Sequence, residues 1–373
     1  MIAKLKRLDV SLLLVVLCFM AISTLVIYSA TNGTKYEGLH VNNLIAYGCI
    51  FVPMLLIAFL DYRIAVRYLS YGLYALGIVL LVIVLLNGTN LNGSTRWISI
   101  KSFQFQPSEL AKIFLILLVA KRLSNRNGEP LRLLKDILPV LIATFLPVVL
   151  ILKQPDLGTS IVFVSIMLGM LWMGNMKRTH IAIGVGSIGI LVAFIVTLYL
   201  TDSSLFQTFV KPHQLARIQT FLDPASDPDK SWHVLNSIRA IGTGDMYGKG
   251  FGQGFLVQNG FIPYDYADSI FVVIGEEFGF IGSALLLFLY FFMIYRMVRI
   301  AYDSPDLSGA YIVIGVISML VLQVFENIAM HLGLMPLTGL ALPFVSYGGS
   351  SLLTNMIAVG LVLSVQVHHS KRD

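Results

Sequence analysis

An all-α integral membrane protein is the fold class that the sequence predicts, with ten transmembrane helices and both termini in the cytoplasm. Three observations predict it. Of 373 residues, 57% are hydrophobic and only 12% are charged, about half the charged share of an ordinary soluble domain. Ten stretches are apolar over roughly the 20 residues that a helix needs to cross a hydrocarbon core about 30 Å thick. The basic residues gather in alternate connections, as cytoplasmic segments do. With a mean hydropathy of +0.81, the chain has too little polar surface to cover a soluble globule. A cytosolic enzyme, a disordered protein and a nucleic-acid binder are therefore excluded. No Pro- or Ser-rich linker divides it, so residues 1–373 read as one polytopic domain.

The first nine residues are basic, and the apolar run behind them continues to about Ala30. That is too long for the h-region of a cleaved signal peptide, so it reads as a retained signal anchor and first span, 10–30. The next spans fall at 42–60, 68–87, 108–123, 136–152, 158–175, 180–200, 269–295, 309–331 and 351–367. An inside N-terminus places Lys4, Lys6, Arg7, Arg63, Arg67, Lys121, Arg122, Arg126, Arg132, Lys135, Lys177, Arg178, Arg296, Arg299, Lys371 and Arg372 in the cytoplasm, most of the 26 basic residues. The net charge of +6 and pI near 9.2 are thus a mark of topology and not of polyanion binding. Segment 201–268, between spans seven and eight, is the longest hydrophilic stretch and forms a large extracytoplasmic loop. Cys18 and Cys49 lie inside apolar runs and read as buried small hydrophobes. None of the seven histidines forms H-E-x-x-H or pairs with a cysteine at zinc spacing.

Polar and Gly/Pro-rich chain collects on the predicted outer side. Thr95-Arg96-Trp97 precedes Gln106-Pro107-Ser108-Glu109, where Pro fixes φ and Ser is able to cap a helix start. Trp97 suits an interfacial anchor or a substrate contact. Glu109 and Lys112 share one helix face, as a structural salt bridge or as substrate ligands. Asp156, in the turn Gln154-Pro-Asp156-Leu-Gly158-Thr159, caps the next helix or adds a second carboxylate to a site. Tyr247-Gly-Lys249-Gly-Phe-Gly252-Gln-Gly254 is not a Walker loop. It is a flexible loop, or it holds a phosphate on backbone N–H groups with Lys249. Asp265 and Asp268 stand at the mouth of span eight, where partial desolvation raises a carboxyl towards the working pH of a general base. Asp268 also suits a helix cap. Glu276, eight residues on, reads as a buried, hydrogen-bonded structural group. Pro336 through Ser346, Tyr347, Gly348, Gly349, Ser350 and Ser351 is non-helical chain at membrane depth, which is tolerated against a cavity. Its Gly-Gly-Ser-Ser helix start offers N–H donors to an anion. These residues describe an outer, carboxylate-bearing, anion-friendly cavity at the lipid boundary, fit for an enzyme acting on a lipid-linked anionic substrate or for a transporter of one.

In this order the motifs resemble the SEDS family, the RodA, FtsW and SpoVE proteins of bacterial cell-wall synthesis. The matching stretches are Arg96-Trp97-Ile98, Gln106-Pro-Ser-Glu109-Leu-Ala-Lys112, Gln154-Pro-Asp-Leu-Gly-Thr159, Ala240-Ile-Gly-Thr-Gly244, Gly248-Lys-Gly250, Phe261-Ile-Pro263, Asp268, Ile274-Gly-Glu-Glu-Phe-Gly279 and Pro336 through Ser351. They cover nearly the whole chain. The resemblance implies a peptidoglycan glycosyltransferase that polymerises lipid II outside the bacterial cytoplasmic membrane, beside a class B penicillin-binding protein. It implies Asp268 as the catalytic base that deprotonates the acceptor sugar hydroxyl, in an inverting displacement of undecaprenyl pyrophosphate from the lipid-linked glycan. The departing pyrophosphate requires Lys112, Arg96, Lys249, the Gly348–Ser351 helix start or a divalent cation, Mg or Mn. Glu109, Trp97, Asp156 and Ser346 join the substrate-binding set, membrane lipid surrounds it, and nucleic acid has no part. Where the family reads Pro-Glu-x-His-Thr-Asp-Phe-Ile-Phe, this chain has Pro263-Tyr-Asp-Tyr-Ala-Asp268-Ser-Ile-Phe271. The Glu, His and Thr are missing, Ser269 replaces a Phe, and Asp265 becomes an accessory carboxylate. The family's Gly-Ser-Gly-Gly reads Gly242-Thr-Gly-Asp245. A lipid II flippase and a non-catalytic scaffold for the penicillin-binding protein remain the alternatives. The polar residues crowd one side and no internal repeat marks alternating access. The short termini are those of a RodA-like member.

Overall fold

A helix lies over each of the ten apolar stretches in this computed structural model, which describes residues 7–91, 94–100, 103–200 and 228–368. They are α1 (Val10–Thr31), α2 (Leu39–Phe59), α3 (Tyr62–Asn87), α4 (Pro107–Ser124), α5 (Leu133–Lys153), α6 (Leu157–Met173) and α7 (Arg178–Leu200), then α10 (Ile270–Tyr302), α11 (Leu307–His331) and α12 (Gly349–Val367). Between α7 and α10 stand α8 (Pro228–Thr243) and the single turn α9 (Phe255–Gln258). Among the described residues, seven helices (α1, α2, α3, α5, α10, α11 and α12) are long and apolar enough to cross a membrane. α6 is apolar but has only 17 residues, and α4 carries Glu109, Lys112, Lys121 and Arg122. The chain is a predominantly helical, multi-pass membrane protein.

α11 is the central helix. It packs against α4, α6, α10 and α12, while α2 pairs with α12 and α3 with α4. The outer helices leave Leu14, Leu25, Val52, Leu56, Val79 and Leu86 exposed, a surface that only lipid can solvate favourably. Aspartates start several helices. Asp9 Oδ1 accepts from Leu12 N–H at 3.0 Å, and Asp306 Oδ1 from Gly309 N–H at 3.0 Å. The second oxygens take Arg296 at 2.6 Å and Arg63 at 2.8 Å. Each carboxylate therefore fixes a helix end and ties two helices together, α1 to α10 and α3 to α11.

Four expectations need correction. The chain is not wholly α-helical: Thr89–Leu91, Ser94–Ile100 and Phe103–Phe105 form a three-stranded antiparallel sheet, β1-β2-β3. Its β2–β3 register pairs Ile98 with Phe105 and Ile100 with Phe103, cross-strand partners that favour pairing over coil. Segment 201–268 is not all loop, since α8 packs on α10; residues 201–227 lie outside the described residues, as do the two chain ends. Span eight runs on to Tyr302. Cys18 and Cys49 are exposed, because an apolar run in a membrane protein does not distinguish a lipid-facing side from a protein-facing one.

α10 is also broken. Gly279 has φ 62 and ψ −155 inside it, which leaves helical donors and acceptors without their usual partners. The glycine-rich loop after α8 supplies them. Lys249 N–H donates to Glu276 O at 2.9 Å and Gly250 N–H to Glu277 O at 3.0 Å; Phe280 N–H donates to Asp245 O at 2.9 Å and Ile281 N–H to Met246 O at 3.1 Å. A Cβ at Gly248 would lie 2.1 Å from Glu277 O, so only glycine permits the approach. The loop is a splint for the break. Its N–H groups at 249 and 250 are consumed there, which corrects the phosphate-loop reading.

Candidate active site

The turn before α10 begins at Tyr264, whose φ is 53, and closes with Ser269 N–H on Tyr264 O at 3.2 Å. Asp268 sits at its end. The capping reading fails, because Ser269 occupies the N-cap position and no side chain caps the helix. Asp268 Oδ1 is buried without a hydrogen-bond partner. Oδ2 faces Gly339, where a Cβ would lie 3.3 Å from it. Burial raises the carboxyl from its ordinary 3.8 to about 6, opposed by the N–H groups of Asp268 and Ser269 and by the charge of Arg96. Asp265 lies in the same turn. Burial carries it to about 7 against backbone N–H groups, and the charge of Glu277 pushes the same way.

Three further pieces converge on this turn. Tyr347 N–H donates to Tyr266 O at 2.9 Å, which seats the start of α12 beside it. Gly349 is exposed and a Cβ there would meet open space, so a ligand has room beside the helix start. The sheet delivers Arg96, whose guanidinium stands 3.4 Å from Asp156 Oδ2. Asp156 fulfils its capping role through Thr159 N–H at 3.1 Å and also accepts from Gln106 Nε2 at 3.2 Å. Trp97 is partly buried on the same strand, its carbonyl taken by Thr89 Oγ1 at 3.1 Å.

Other expected ligands have structural employment. Lys112 is completely buried and pairs with Glu109 at 2.8 Å; Ser108 is within the helix and caps nothing. Ser346 Oγ accepts from Leu342 N–H at 2.8 Å, and Ser350 Oγ accepts from Gln106 N–H at 3.0 Å. Both hydroxyls therefore brace the chain around the site. Lys249 is held at the level of Glu276, about 12 Å along α10 from Asp268 at 1.5 Å per residue, with Nζ 3.9 Å from Asp245. Glu276 is structural, as expected: its oxygens accept from Leu256 and Val257 N–H at 2.8 and 3.0 Å. Glu326 lies against the start of α6, where a Cβ at Gly158 would be 2.9 Å from its Oε1.

Asn327, His331 and His233 were not singled out from the sequence, yet all three contact the Asp268–Ser269 pair. Polar side chains inside the apolar runs of α11 were the available signal.

Residues 6–371 match the FtsW/RodA/SpoVE family, described as cell cycle proteins. This chain belongs to that family. Stage V sporulation protein E of Bacillus subtilis is 34% identical over 366 residues, 96% of each chain. Peptidoglycan glycosyltransferase MrdB of Escherichia coli K12 is 35% identical over 363 residues, 97% of this chain and 94% of that one. Among solved structures, a chain from a peptidoglycan synthase complex, determined for the structural coordination of polymerization and crosslinking, superposes with TM-score 0.81. It is 30% identical and covers 98% of this chain and 99% of its own. Rod shape determining protein RodA of Thermus thermophilus gives TM-score 0.71 at 28% identity, over 98% of both chains. The FtsW/RodA/SpoVE fold thus extends over the whole bundle.

Proposed function

We propose that this protein polymerises glycan strands of peptidoglycan from lipid II at the outer face of the bacterial cytoplasmic membrane, with Asp268 as general base. Its enzyme class, peptidoglycan glycosyltransferase, is that of its named relatives. The observation that carries the mechanism is the carboxyl of Asp268, raised to about 6 by burial with one oxygen unbonded. At neutral pH it is ionised, and it is basic enough to take a proton.

The acceptor sugar hydroxyl gives its proton to Asp268 as its oxygen attacks the anomeric carbon of the donor. The bond from that carbon to undecaprenyl pyrophosphate breaks, with inversion. A positioned base contributes typically 10²–10⁴-fold. Arg96, near enough to act on Asp268, and the N-terminus of α12 face the charge that develops on the pyrophosphate. Asp265 is an accessory carboxylate in the same turn. Among the described residues no group of three His, Cys, Asp or Glu converges; a divalent cation such as Mg or Mn would be held by the pyrophosphate with one or two carboxylates, and no step is routed through it. Ten spans with both termini in the cytoplasm put Asp268, the sheet and α8 outside, and a class B penicillin-binding protein is the partner that crosslinks the product.

The deciding experiment is Asp268→Asn, purified and supplied with purified lipid II. The variant should fold and bind its partner while polymer falls by about 10²-fold or more. Glycan of wild-type amount from Asp268→Asn would remove the assignment. Lost lipid transport with intact polymerisation in detergent would instead indicate a flippase.

A further inference from the structure

Two histidines and an asparagine close on the main chain of Asp268 and the side chain of Ser269. Asn327 Nδ2 stands 2.7 Å from Asp268 O and 2.7 Å from Leu340 O. His331, one turn further along the same face of α11, brings Nε2 to 2.9 Å from the same Asp268 carbonyl. A carbonyl only accepts, so Nε2 carries the proton. His233, on α8, brings Nε2 to 2.9 Å from Ser269 Oγ. That hydroxyl spends its proton on Pro263 O at 2.8 Å, so His233 also donates through Nε2. Burial lowers the pKa of His233 to about 4, and it is neutral at working pH. The two imidazoles lie 5.8 Å apart; Ser237 Oγ donates to the His233 carbonyl at 2.8 Å and lies 3.4 Å from His331 Nδ1. Asn327, His331, Ser237 and Ser269 are fully buried.

Two features separate this cluster from ordinary packing. First, none of its donors touches the Asp268 carboxylate. They take the carbonyl of that residue and the hydroxyl of the next, so they hold its main chain and not its carboxylate. Second, Ser269 Oγ is the acceptor for His233 Nε2 while its own proton goes to Pro263 O. Loss of that hydroxyl would leave Nε2 of His233 buried without an acceptor, at a cost of about 1–3 kcal/mol, so Ser269 and His233 are a matched pair. A catalytic group has to be held within about 0.5 Å of its productive position, and a misplacement of about 1 Å can cost 10²-fold in rate.

We propose that Asn327, His331 and the His233–Ser269 pair are positioning residues, which fix the main chain at Asp268 so that its carboxylate meets the acceptor hydroxyl. The proposal rests on the general-base reading above. It is tested on the full-length protein in detergent, from initial polymerisation rates against lipid II concentration and from thermal unfolding. His331→Leu and Asn327→Leu should lower kcat by about 10–100-fold with KM within about twofold. His331→Gln, which restores an N–H at similar reach, should recover kcat to within about fivefold of wild type. Ser269→Ala, which strands His233 without touching α11, should lower kcat by about threefold or more. Wild-type kcat in the leucine variants, a loss that His331→Gln fails to repair, or a rise in KM alone would overturn the proposal. If the leucine variants do not fold, Ser269→Ala decides: a wild-type rate there overturns it. Asp268→Asn is measured in parallel. If Asp268→Asn polymerises normally, the base assignment itself has failed; if it is inactive while the α11 variants are normal, only the positioning is wrong.

Discussion

Lys112→Met should destabilise the protein without needing any substrate to reveal it. Lys112 is 0% exposed and Glu109 is 4% exposed; they meet at 2.8 Å through Glu109 Oε1, and Oε2 has no hydrogen-bond partner. Removing one partner of a buried pair costs about 3–5 kcal/mol, because the other charge stays behind unpaired. Glu109 stands in the first turn of α4, where the helix dipole returns up to about 2 kcal/mol in partly buried geometry. The expected net loss is therefore about 1–5 kcal/mol, and at roughly 2 °C per kcal/mol for a large chain the midpoint falls by about 2–10 °C. The assay is thermal unfolding in detergent, followed by size-exclusion of the folded fraction. The double variant Glu109→Gln with Lys112→Met removes both charges and should return to within about 1 kcal/mol of wild type. If Lys112→Met melts with the wild type, the pair contributes nothing and the reasoning is refuted. The double variant also separates two roles: structure alone restores polymerisation with stability, whereas a substrate contact of Lys112 leaves the restored fold inactive.

Two more tests follow from the site and its frame. Polymerisation should rise with pH to a plateau, with its half-point near the Asp268 value of about 6; because the fold raises this carboxyl, the stability it contributes is present below about 3.8 and is lost as pH rises through about 6. Asp268→Asn should therefore melt higher than wild type at pH 7.5 and flatten that pH profile, and a pH-independent wild-type rate between 5 and 7 would count against the base. Gly248→Ala, with φ +82 and a Cβ 2.1 Å from Glu277 O, should cost well over about 2 kcal/mol and reduce folded yield, whereas Gly252→Ala, with φ +69 and no neighbour within 4 Å, should cost only about 1–2 kcal/mol; equal, mild losses in stability with weaker lipid II binding in both would restore a phosphate-binding role for the loop.

Membership of the FtsW/RodA/SpoVE family and the positions of the membrane helices were legible in the sequence, because both are one-dimensional. An apolar stretch near 20 residues is legible without knowledge of its neighbours, and local capping residues such as Asp156 and Pro107 mark helix starts from adjacent positions alone. The turn that carries Asp268 was legible as a motif for the same reason. The employment of each polar group was not. Lys249 reads as a phosphate ligand in its Gly-rich setting, yet the loop's N–H groups are spent on the break at Gly279, more than 25 residues away. Ser346 and Ser350 read as anion donors until their hydroxyls are seen bracing Leu342 and Gln106.

A multi-pass helical bundle with carboxylates and glycines gathered between spans follows from residue order alone, since hydropathy, charge asymmetry and turn residues act locally along the chain. Which polar groups find partners depends on the packed fold. It left Asp268 Oδ1 unbonded, gave Lys112 to Glu109 and Arg96 to Asp156, and brought α8 and α11 together around Asp268 and Ser269. The physical reason is that a buried polar group must be satisfied by whatever the fold places within about 3 Å, and that neighbour can lie anywhere in the chain.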